Sequence, residues 1–322
     1  YELGNLYYKG QGVKQDYQQA AQWLKMAAEQ GHVTAQASMG NLYSSGEGVS
    51  QDYSQAVNWY RKAAEQGYAY AQTELGYAYY TGQGANKDYF QAAQWYRRSA
   101  DQGGQEAQNM VGFMYENGQG VAKNYSQAAE WYRKAADQGF AKAQSNLAFL
   151  YLTGDGVTQD YRQASDWFGK AAEQEYAIAQ TQLGLLYYHG NGVARDYAQA
   201  VHWFRKAADQ GHANAQAWLG SMYSNGKGVA MDYSQAAYWY AKAAEQDHAT
   251  AQNNLALLYV NGQGVAKDNA KAEYWYNRAI ANGNENARNN LNIVRQNIAN
   301  AQKPKKPKER ILIEEEVWVT CE

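Results

Sequence analysis

Glycine pairs are the most frequent residues of this chain whose type and spacing could do chemistry. Gly-x-Gly occurs eight times, from Gly10/Gly12 to Gly262/Gly264, at a constant step of 36 residues. A Gly-rich loop can bind phosphate, but a dinucleotide fingerprint needs a third glycine and a preceding strand. Residues 84–87, which follow one of the pairs, offer neither feature. The pairs therefore predict turns, and no cofactor is expected.

The five histidines are the next candidates, as metal ligands. His32, His212 and His248 occupy one repeat position, where other repeats carry Tyr or Phe, and this exchange is typical of a packing position. His189 and His202 fall in different predicted helices, with no Cys or acidic pair at the spacing of a zinc site. We expect no metal site.

Nucleophilic catalysis also finds no motif in the chain. No Gly-x-Ser-x-Gly occurs, and the single cysteine is Cys321. Opposite charges recur at i,i+4 spacing in the second half of the repeat, and such pairs add a few tenths of a kcal/mol each on a helix surface. The pairs are Arg61/Glu65, Arg97/Asp101 and Arg133/Asp137. The sequence favours a protein that is not an enzyme.

The glycine pairs and the charge pairs belong to a unit of 36 residues that repeats along the chain, and residues 68–103 are one copy of it. Its Trp95 has a counterpart at every repeat, which a stack of helical hairpins explains. These counterparts are Trp23, Trp59, Trp131, Trp167, Trp203, Trp239 and Trp275. A fixed period of this length predicts an all-α solenoid of about eight helix-turn-helix repeats.

Two helices fit within one unit. In the first, Ala71, Leu75, Ala78 and Tyr79 form one apolar stripe of a helix. Gly76 recurs within this helix at a cost of about 1 kcal/mol relative to alanine, which predicts that a neighbouring helix approaches too closely for a Cβ.

The second helix has a recognisable start and end. Asp88 and Gln91 resemble a capping box, in which the carboxylate accepts from an early backbone N–H and the amide reaches back. This pairing fails at Asp268/Lys271. Gly103 closes the helix, and we expect weaker or rearranged turns where Glu175 and Asp247 replace it.

The unit resembles the Sel-1-like repeat, a relative of the tetratricopeptide repeat. The resemblance covers roughly residues 1–301, and the absence of Cys from every repeat is similar to the cysteine-free bacterial members. It implies a right-handed superhelical solenoid whose first helices line a concave surface that binds proteins or peptides. The matching residues are Ala71, Leu75, Gly76, Tyr79, Gly82, Gly84, Asp88, Ala92, Trp95, Ala100 and Gly103.

Composition narrows the range of partners. The net charge is −2, with basic and acidic residues nearly balanced, so no broad field for a nucleic acid or a membrane surface is expected. No run of 18 apolar residues occurs, so no membrane span is predicted. Neither the cellular location nor the oligomeric state follows from the sequence.

Three regions are predicted along the chain. Residues 1–301 form the solenoid, which ends with a capping helix over about 286–300. Residues 302–310 form a basic linker that contains both prolines, and residues 311–322 form an extended tail. The tail is rich in β-branched residues at two-residue spacing, namely Ile311, Ile313 and Val317, followed by Trp318.

The informative positions of the first helices are those that vary between repeats. At one position of the first helix, the residue is polar in the first repeats and apolar in the middle repeats. A neighbouring position carries Met110 and Trp218 in two of the repeats. An exposed apolar cluster is typical of a partner site, whereas the alternative is that these side chains pack between adjacent first helices. The candidate partner-binding residues are Tyr77, Met110, Phe113, Phe149, Leu185, Trp218 and Leu257.

We therefore expect a non-enzymatic scaffold or adaptor that binds a protein or peptide on its concave face. The alternative is a regulatory or immunity subunit that inhibits an enzyme or toxin. The tail is a second candidate ligand of that face, in cis or in trans, because its Ile, Val and Trp side chains match the apolar columns. The alternative for the tail is an extension without a docking site.

Overall fold

The two helices of each repeat run antiparallel, as the contacts of the third repeat show. The Thr73 hydroxyl lies 2.8 Å from the Ser99 hydroxyl, and Gly76 lies against the ring of Tyr96. Closer to the connecting loop, the backbone N–H of Asp88 donates to the carbonyl oxygen of Tyr79 at 2.9 Å. Residues later in the first helix thus meet residues earlier in the second, which defines a helical hairpin.

The computed structural model describes residues 1–302, and their regular structure is entirely α-helical. Eight hairpins and a last helix confirm the predicted solenoid of helical repeats. In chain order the helices are α1 Glu2–Lys9, α2 Tyr17–Glu29, α3 Val33–Ser45, α4 Tyr53–Glu65, α5 Ala69–Thr81, α6 Tyr89–Asp101, α7 Gln105–Asn117, α8 Tyr125–Asp137, α9 Ala141–Thr153, α10 Tyr161–Glu173, α11 Ala177–His189, α12 Tyr197–Asp209, α13 Ala213–Asn225, α14 Tyr233–Glu245, α15 Ala249–Asn261, α16 Asn269–Ala281 and α17 Glu285–Gln302.

The core is a thin layer that continues from repeat to repeat. Each second helix packs against its own first helix and against the first helix of the next repeat. One cluster joins Tyr132 of α8, Leu147 of α9, Phe168 of α10 and Leu183 of α11, all of them buried. Every repeat therefore shares its apolar contacts with its sequence neighbours, which is the nearest-neighbour architecture of a solenoid.

The recurrent glycine inside the first helix makes room for an aromatic ring. A Cβ built on Gly112 would lie 2.7 Å from the Tyr132 ring, and one built on Gly76 would lie 2.9 Å from the Tyr96 ring. The predicted close approach is confirmed. The approaching group is a side chain of the second helix in the same repeat.

The two glycines of each Gly-x-Gly turn have different roles. Gly82 ends α5 with a left-handed φ of 83°, a conformation that glycine adopts without steric cost. Gly84 lies so close to the preceding repeat that a Cβ would be 2.2 Å from the carbonyl oxygen of Tyr53. The second glycine therefore lets the loop contact the start of α4.

The predicted capping box is half correct. The Asp88 carboxylate accepts from the backbone N–H of Gln91 at 3.0 Å, but the N–H of Asp88 already donates to Tyr79, so the Gln91 side chain has no free donor to reach. Because the aspartate carboxylate alone caps the second helix, Lys271 in place of the usual Gln does not disturb the cap of α16. Its backbone N–H donates to Asp268 at 2.9 Å.

The turns at Glu175 and Asp247 keep the geometry of the glycine turns instead of rearranging. Both residues have a positive φ, 62° and 61°. Asp247 gains contacts that glycine lacks, because its carboxylate accepts from Asn282 at 3.1 Å and pairs with Arg278. The hydrogen bond from Asn282, followed by that from Arg278, lowers the pKa of Asp247.

Only one of the three predicted charge pairs forms among the described residues. Arg97 pairs with Asp101 at 2.9 Å, whereas the guanidinium of Arg61 donates to the hydroxyl of Tyr79 in the next repeat at 2.9 Å. Arg133 likewise donates to the next repeat, at Tyr151. The prediction for Arg61/Glu65 and Arg133/Asp137 is wrong because a tyrosine hydroxyl of the adjacent repeat competes with the carboxylate.

Three histidines begin first helices, a role that the packing interpretation missed. His248 Nδ1 accepts from the backbone N–H of Ala251 at 3.2 Å, and His32 makes the equivalent cap to Ala35 at 3.3 Å. In the third, His212 Nδ1 lies 2.8 Å from the Thr181 hydroxyl of the preceding repeat. The ring therefore caps the helix at His32 and His248, whereas His212 bonds to the preceding repeat without capping α13.

The last helix closes the described stack. Ala287, Leu291 and Val294 of α17 are buried against α15 and α16. The predicted tail residues 311–322 and residues 303–310 of the predicted linker lie outside the described residues. Among the helices of residues 1–302, none combines the length and apolarity that a membrane crossing requires.

Candidate functional site

The candidate partner-binding residues all lie on the first-helix face, the surface formed by α1, α3, α5, α7, α9, α11, α13 and α15. Tyr77 and Leu257 are well exposed there, with 49% and 43% of their surface accessible. The other five candidates are half-buried, and these are Met110, Phe113, Phe149, Leu185 and Trp218.

Two of these half-buried aromatic residues also stabilise the stack. Phe149 packs edge-on against Phe168 with ring centroids 5.0 Å apart. Trp218 stacks on Phe204 at 5.7 Å and contacts Tyr188 of the preceding first helix at 5.2 Å. Their accessible surface is therefore what remains after they have packed into the core.

Three of the candidates come together in one cleft, which we call the α5–α7 cleft. Tyr77 of α5 with Met110 and Phe113 of α7 line a space of about 440 Å³. Tyr80 also lines it, and its ring lies 6.4 Å from that of Phe113. Phe149, Leu185, Trp218 and Leu257 do not line this cleft and are spread along the later repeats.

The α5–α7 cleft contains two carboxylates from adjacent first helices. Glu74 of α5 and Glu106 of α7 both line it. Burial, followed by the negative charge of Glu106, raises the pKa of Glu74. Lys142 of α9 lines the same cleft. Among residues 1–302, no ion pair within 4.0 Å involves either glutamate or this lysine.

A tyrosine hydroxyl lies unpaired at the base of the cleft. Tyr96 of α6 is 1% exposed and lines the cleft, and within the described part of the chain its hydroxyl has no hydrogen-bond partner. Burial, together with the charges of Glu106 and Glu74, raises its pKa, so the hydroxyl keeps its proton.

Equivalent tyrosines of neighbouring repeats have internal acceptors. The Tyr60 hydroxyl donates to Asn41 Oδ1 at 2.7 Å, and the Tyr132 hydroxyl donates to Glu116 at 2.5 Å. At the positions of Asn41 and Glu116, the third repeat carries tyrosines instead. This exchange leaves the hydroxyl of Tyr96 available to the cleft.

Asn109 provides a second available polar group. It is 2% exposed and lines the cleft. Its Oδ1 accepts from Asn146 Nδ2 at 2.9 Å, whereas its own Nδ2 has no acceptor among residues 1–302. This N–H group is open to the cleft, where it can donate to a ligand that offers an oxygen.

A second cleft of about 380 Å³ lies where α6 meets α7, at the other side of the third repeat. Phe90, Arg97, Val111 and Tyr115 are among the residues that line it. Arg97 lies over the Trp131 ring, 4.5 Å from its centroid, and pairs with Asp101, so its charge is already balanced.

Sequence reasoning missed Glu106, Tyr96 and Asn109. Glu74 and Glu106 are 32 residues apart, which is one repeat minus one helical turn, so they occupy different columns of the repeat. A search for like charges at this diagonal spacing would have found them. The hydroxyl of Tyr96 gives no such signal, because its tyrosine belongs to the repeated core.

The α5–α7 cleft has the composition of a binding site. Carboxylates, aromatic side chains, one amine and one unpaired amide line it, and no His or Cys is among these residues. Within residues 1–302, no group of three or more His, Cys, Asp or Glu side chains is arranged to hold a metal ion.

Comparison with known proteins identifies relatives among solved structures. The chain is 38% identical to the protective antigen c5321 of uropathogenic Escherichia coli, which displays an SLR fold, with a TM-score of 0.84 over 92% of this chain. It spans 64% of the length of that protein. No curated protein is a significant match to the chain.

A second relative is a Sel1 repeat protein of Oxalobacter formigenes, with 35% identity and a TM-score of 0.68. The aligned region covers 76% of this chain and 96% of that protein. The Sel1 repeat model matches eight consecutive segments, residues 1–32, 33–68, 69–104, 105–140, 141–176, 177–212, 213–248 and 249–284. The chain therefore belongs to the Sel1 repeat family.

Proposed function

We propose that the chain is a non-enzymatic adaptor that binds a protein or peptide on its first-helix face, centred on the α5–α7 cleft. The Sel1 repeat fold is generally a protein-interaction scaffold. The observation that carries the proposal is the convergence of Tyr77, Met110 and Phe113 on one cleft that no side chain of the described residues fills. Accessible apolar and aromatic groups of this kind mark partner sites.

Exposure indicates which of the candidates would anchor a partner. Tyr77 has most to gain from burial, because about half of its surface is accessible, and tyrosine is among the residues that dominate interface energies. Phe149 and Trp218 are poorer choices for a test, since their removal would also open the core.

The test is capture of a partner from an extract of the source cells by the full chain. Tyr77→Ala should weaken capture about tenfold or more, the cost of losing an interface anchor. Tyr238→Ala is the matched control, because Tyr238 is 51% exposed on a second helix. Equal loss with both variants, or with the control alone, would move the binding surface away from the first-helix face.

The regulatory or immunity alternative is a finer statement about the same surface. It requires that the captured partner be an enzyme or toxin and that its activity fall when the chain is added. An assay of the captured partner with wild-type chain and with Tyr77→Ala decides this point, since inhibition through this face must weaken in the variant.

The tail remains a proposal that rests on the sequence alone. Its Ile311, Ile313, Val317 and Trp318 would compete with a partner for the first-helix face, in cis or in trans. Deletion of residues 303–322 should then raise the affinity for the partner or dissolve an oligomer. If the deletion changes neither the affinity for the partner nor the molecular mass of the protein in solution, the tail does not dock on this face.

A further inference from the structure

We propose that the α5–α7 cleft binds a lysine or arginine side chain presented by an extended segment of the partner. This inference rests on the proposed function, because it names the chemistry that one part of the binding surface recognises. Three features of the cleft carry it: two carboxylates that form no ion pair with a cation of residues 1–302, aromatic walls, and a hydroxyl and an amide that are open to a ligand.

The carboxylates supply the charge. Glu74 and Glu106 line the same space from adjacent helices, and no cation of residues 1–302 lies within 4.0 Å of either of them. Glu74 is half-buried and Glu106 is exposed at the edge of the cleft, and their like charges repel each other. A cation bound between them offsets this repulsion and donates charge-assisted hydrogen bonds to the carboxylates, which are about twice as strong as neutral ones.

The walls suit the rest of a basic side chain. Tyr77, Tyr80 and Phe113 line the cleft, and aromatic rings attract ammonium and guanidinium groups. Met110 adds apolar surface for the methylene groups, which long basic side chains bury readily. A norleucine side chain would use this apolar surface but leave both carboxylates unpaired.

The unpaired polar groups at the base add hydrogen bonds. The hydroxyl of Tyr96 is an acceptor for an N–H of the bound cation and lies near both glutamates, whose charges raise its pKa. The amide of Asn109 offers an N–H donor that matches a backbone carbonyl oxygen of an extended segment. A single basic residue with its peptide group satisfies both.

Lys142 allows the predicted preference of the cleft for a positive charge to be tested in both directions. It lies on the α9 side of the cleft and carries the same charge as the proposed ligand. Replacing Lys142 by Glu should therefore strengthen binding of a basic peptide, whereas replacing Glu74 by Gln should weaken it. A purely apolar cleft would respond to neither change.

The experiment follows the methyl resonances of the full chain labelled with ¹³C-methyl methionine. Met110 lines the cleft, Met231 is 60% exposed elsewhere, and Met39 and Met222 are each 1% exposed. The probe is the peptide acetyl-Gly-Leu-Lys-Leu-Gly-amide, with norleucine and glutamate versions as matched peptides. The Met110 resonance should move in a saturable way with the lysine peptide only.

The variants then assign the effect to the carboxylates. Glu74→Gln and Glu106→Gln should each weaken the lysine peptide about tenfold, the order expected for one charge-assisted hydrogen bond. Lys142→Glu should strengthen it by about the same factor. Unmoved resonances of Met39 and Met222 show that each variant keeps its fold.

Two results would overturn the inference. One is an equal Met110 shift with the norleucine peptide, and the other is an affinity that does not change in Glu74→Gln and Lys142→Glu. The proposed function fails separately, through equal capture of the native partner by wild type and Tyr77→Ala. If Tyr77→Ala loses capture of the partner but the cleft shows no preference for the lysine peptide, the adaptor function stands and the proposed site for a basic side chain does not.

Stability provides an independent check on Glu74. Its pKa is raised in the folded chain, so its charge destabilises the fold at neutral pH, and this cost disappears as the pH falls below the unfolded value. Glu74→Gln should therefore unfold at a higher urea concentration than wild type at pH 7, with a smaller difference at pH 4. A variant that binds the lysine peptide less tightly yet is more stable separates ligand recognition from folding.

Discussion

The side-chain amide of Gln138 donates a hydrogen bond of 2.8 Å to the carboxamide oxygen of the buried Gln108. Gln108 in turn donates from Nε2 to the carbonyl oxygen of Ala100, in the preceding repeat, at 3.1 Å. A column of buried carboxamides thus ties each repeat to the one before it. The equivalent pairs are Gln66–Gln36, Gln102–Gln72, Gln174–Gln144, Gln210–Gln180, Gln246–Gln216 and Asn282–Gln252.

Removal of one member of this column should loosen the stack. Gln108→Ala removes the hydrogen bonds to Ala100 and from Gln138, and each lost hydrogen bond costs about 0.5–1.5 kcal/mol. The Ala100 carbonyl keeps the backbone N–H of Gly103, and the Gln138 amide keeps the carbonyl oxygen of Lys134. Urea unfolding measures the loss. Gln105→Ala, at an exposed position of the same helix, is the control and should stay within about 0.5 kcal/mol of wild type. Equal stability of the two variants would show that the column contributes nothing.

The glycine that faces an aromatic ring should tolerate no methyl group. Gly112→Ala places a Cβ 2.7 Å from the Tyr132 ring, and overpacking of this kind costs about 1–3 kcal/mol. Gly169 is a matched control inside α10, because nothing lies within 4 Å of its Cβ position.

Gly169→Ala should therefore stabilise the chain by roughly 0.5–1 kcal/mol through helix propensity alone. Thermal unfolding of the two variants gives shifts of opposite sign if the ring contact sets the requirement for glycine. A stabilising Gly112→Ala would refute that explanation.

The free energy of unfolding should be distributed along the stack of repeats instead of arising from one central core. Trp131 is 3% exposed, and Trp131→Ala should cost about 3–5 kcal/mol, the usual penalty for a large-to-small change in a core. Hydrogen exchange should speed up in α6, α7 and α8 more than in α15 and α16, since each repeat contacts its neighbours. The exposed Phe90→Ala should leave exchange unchanged, and uniform loosening of all repeats by Trp131→Ala would contradict the nearest-neighbour architecture.

The histidine cap of α15 should make stability depend on pH. Burial lowers the pKa of His248 from its ordinary value of 6.5, and only an unprotonated Nδ1 can accept from Ala251. Its contribution is therefore complete above pH 6.5 and falls as the pH drops through the lowered pKa.

Asparagine caps a helix without titrating, which makes His248→Asn the informative variant. Relative to this variant, wild type should lose stability between pH 8 and pH 5, as measured by urea unfolding at each pH. A difference between the two proteins that stays constant across this range would show that the ring does not act through its proton.

The repeated residues were sufficient to predict the fold. The repeat period, the glycine within the first helix and the cap of the second helix can each be recognised from one set of equivalent repeat positions. The Trp95 column gave the 36-residue unit, and Gly76 indicated the close approach that the Tyr96 ring makes. The Gln108 column was equally regular, yet its meaning depends on a partner at Gln138 and on a carbonyl oxygen, and neither can be located from spacing alone.

The site was less predictable, because it depends on differences between adjacent repeats. Tyr77, Met110 and Phe113 were found from their columns. Glu74 and Glu106 each look like a solvated charge on a helix, and they meet in one cleft because α5 and α7 both pack against α6. The free hydroxyl of Tyr96 follows from the acceptors that its own repeat lacks, which requires the three-dimensional pairing of positions.

The most direct measurement of the central claim is photocrosslinking of the full chain to its partner in extracts of the source cells. A benzoylphenylalanine at position 77 lies on the first-helix face, and one at position 238 lies on a second helix with similar exposure. The account predicts a specific adduct from position 77 and none from position 238. An adduct from position 238 with none from position 77 would contradict it.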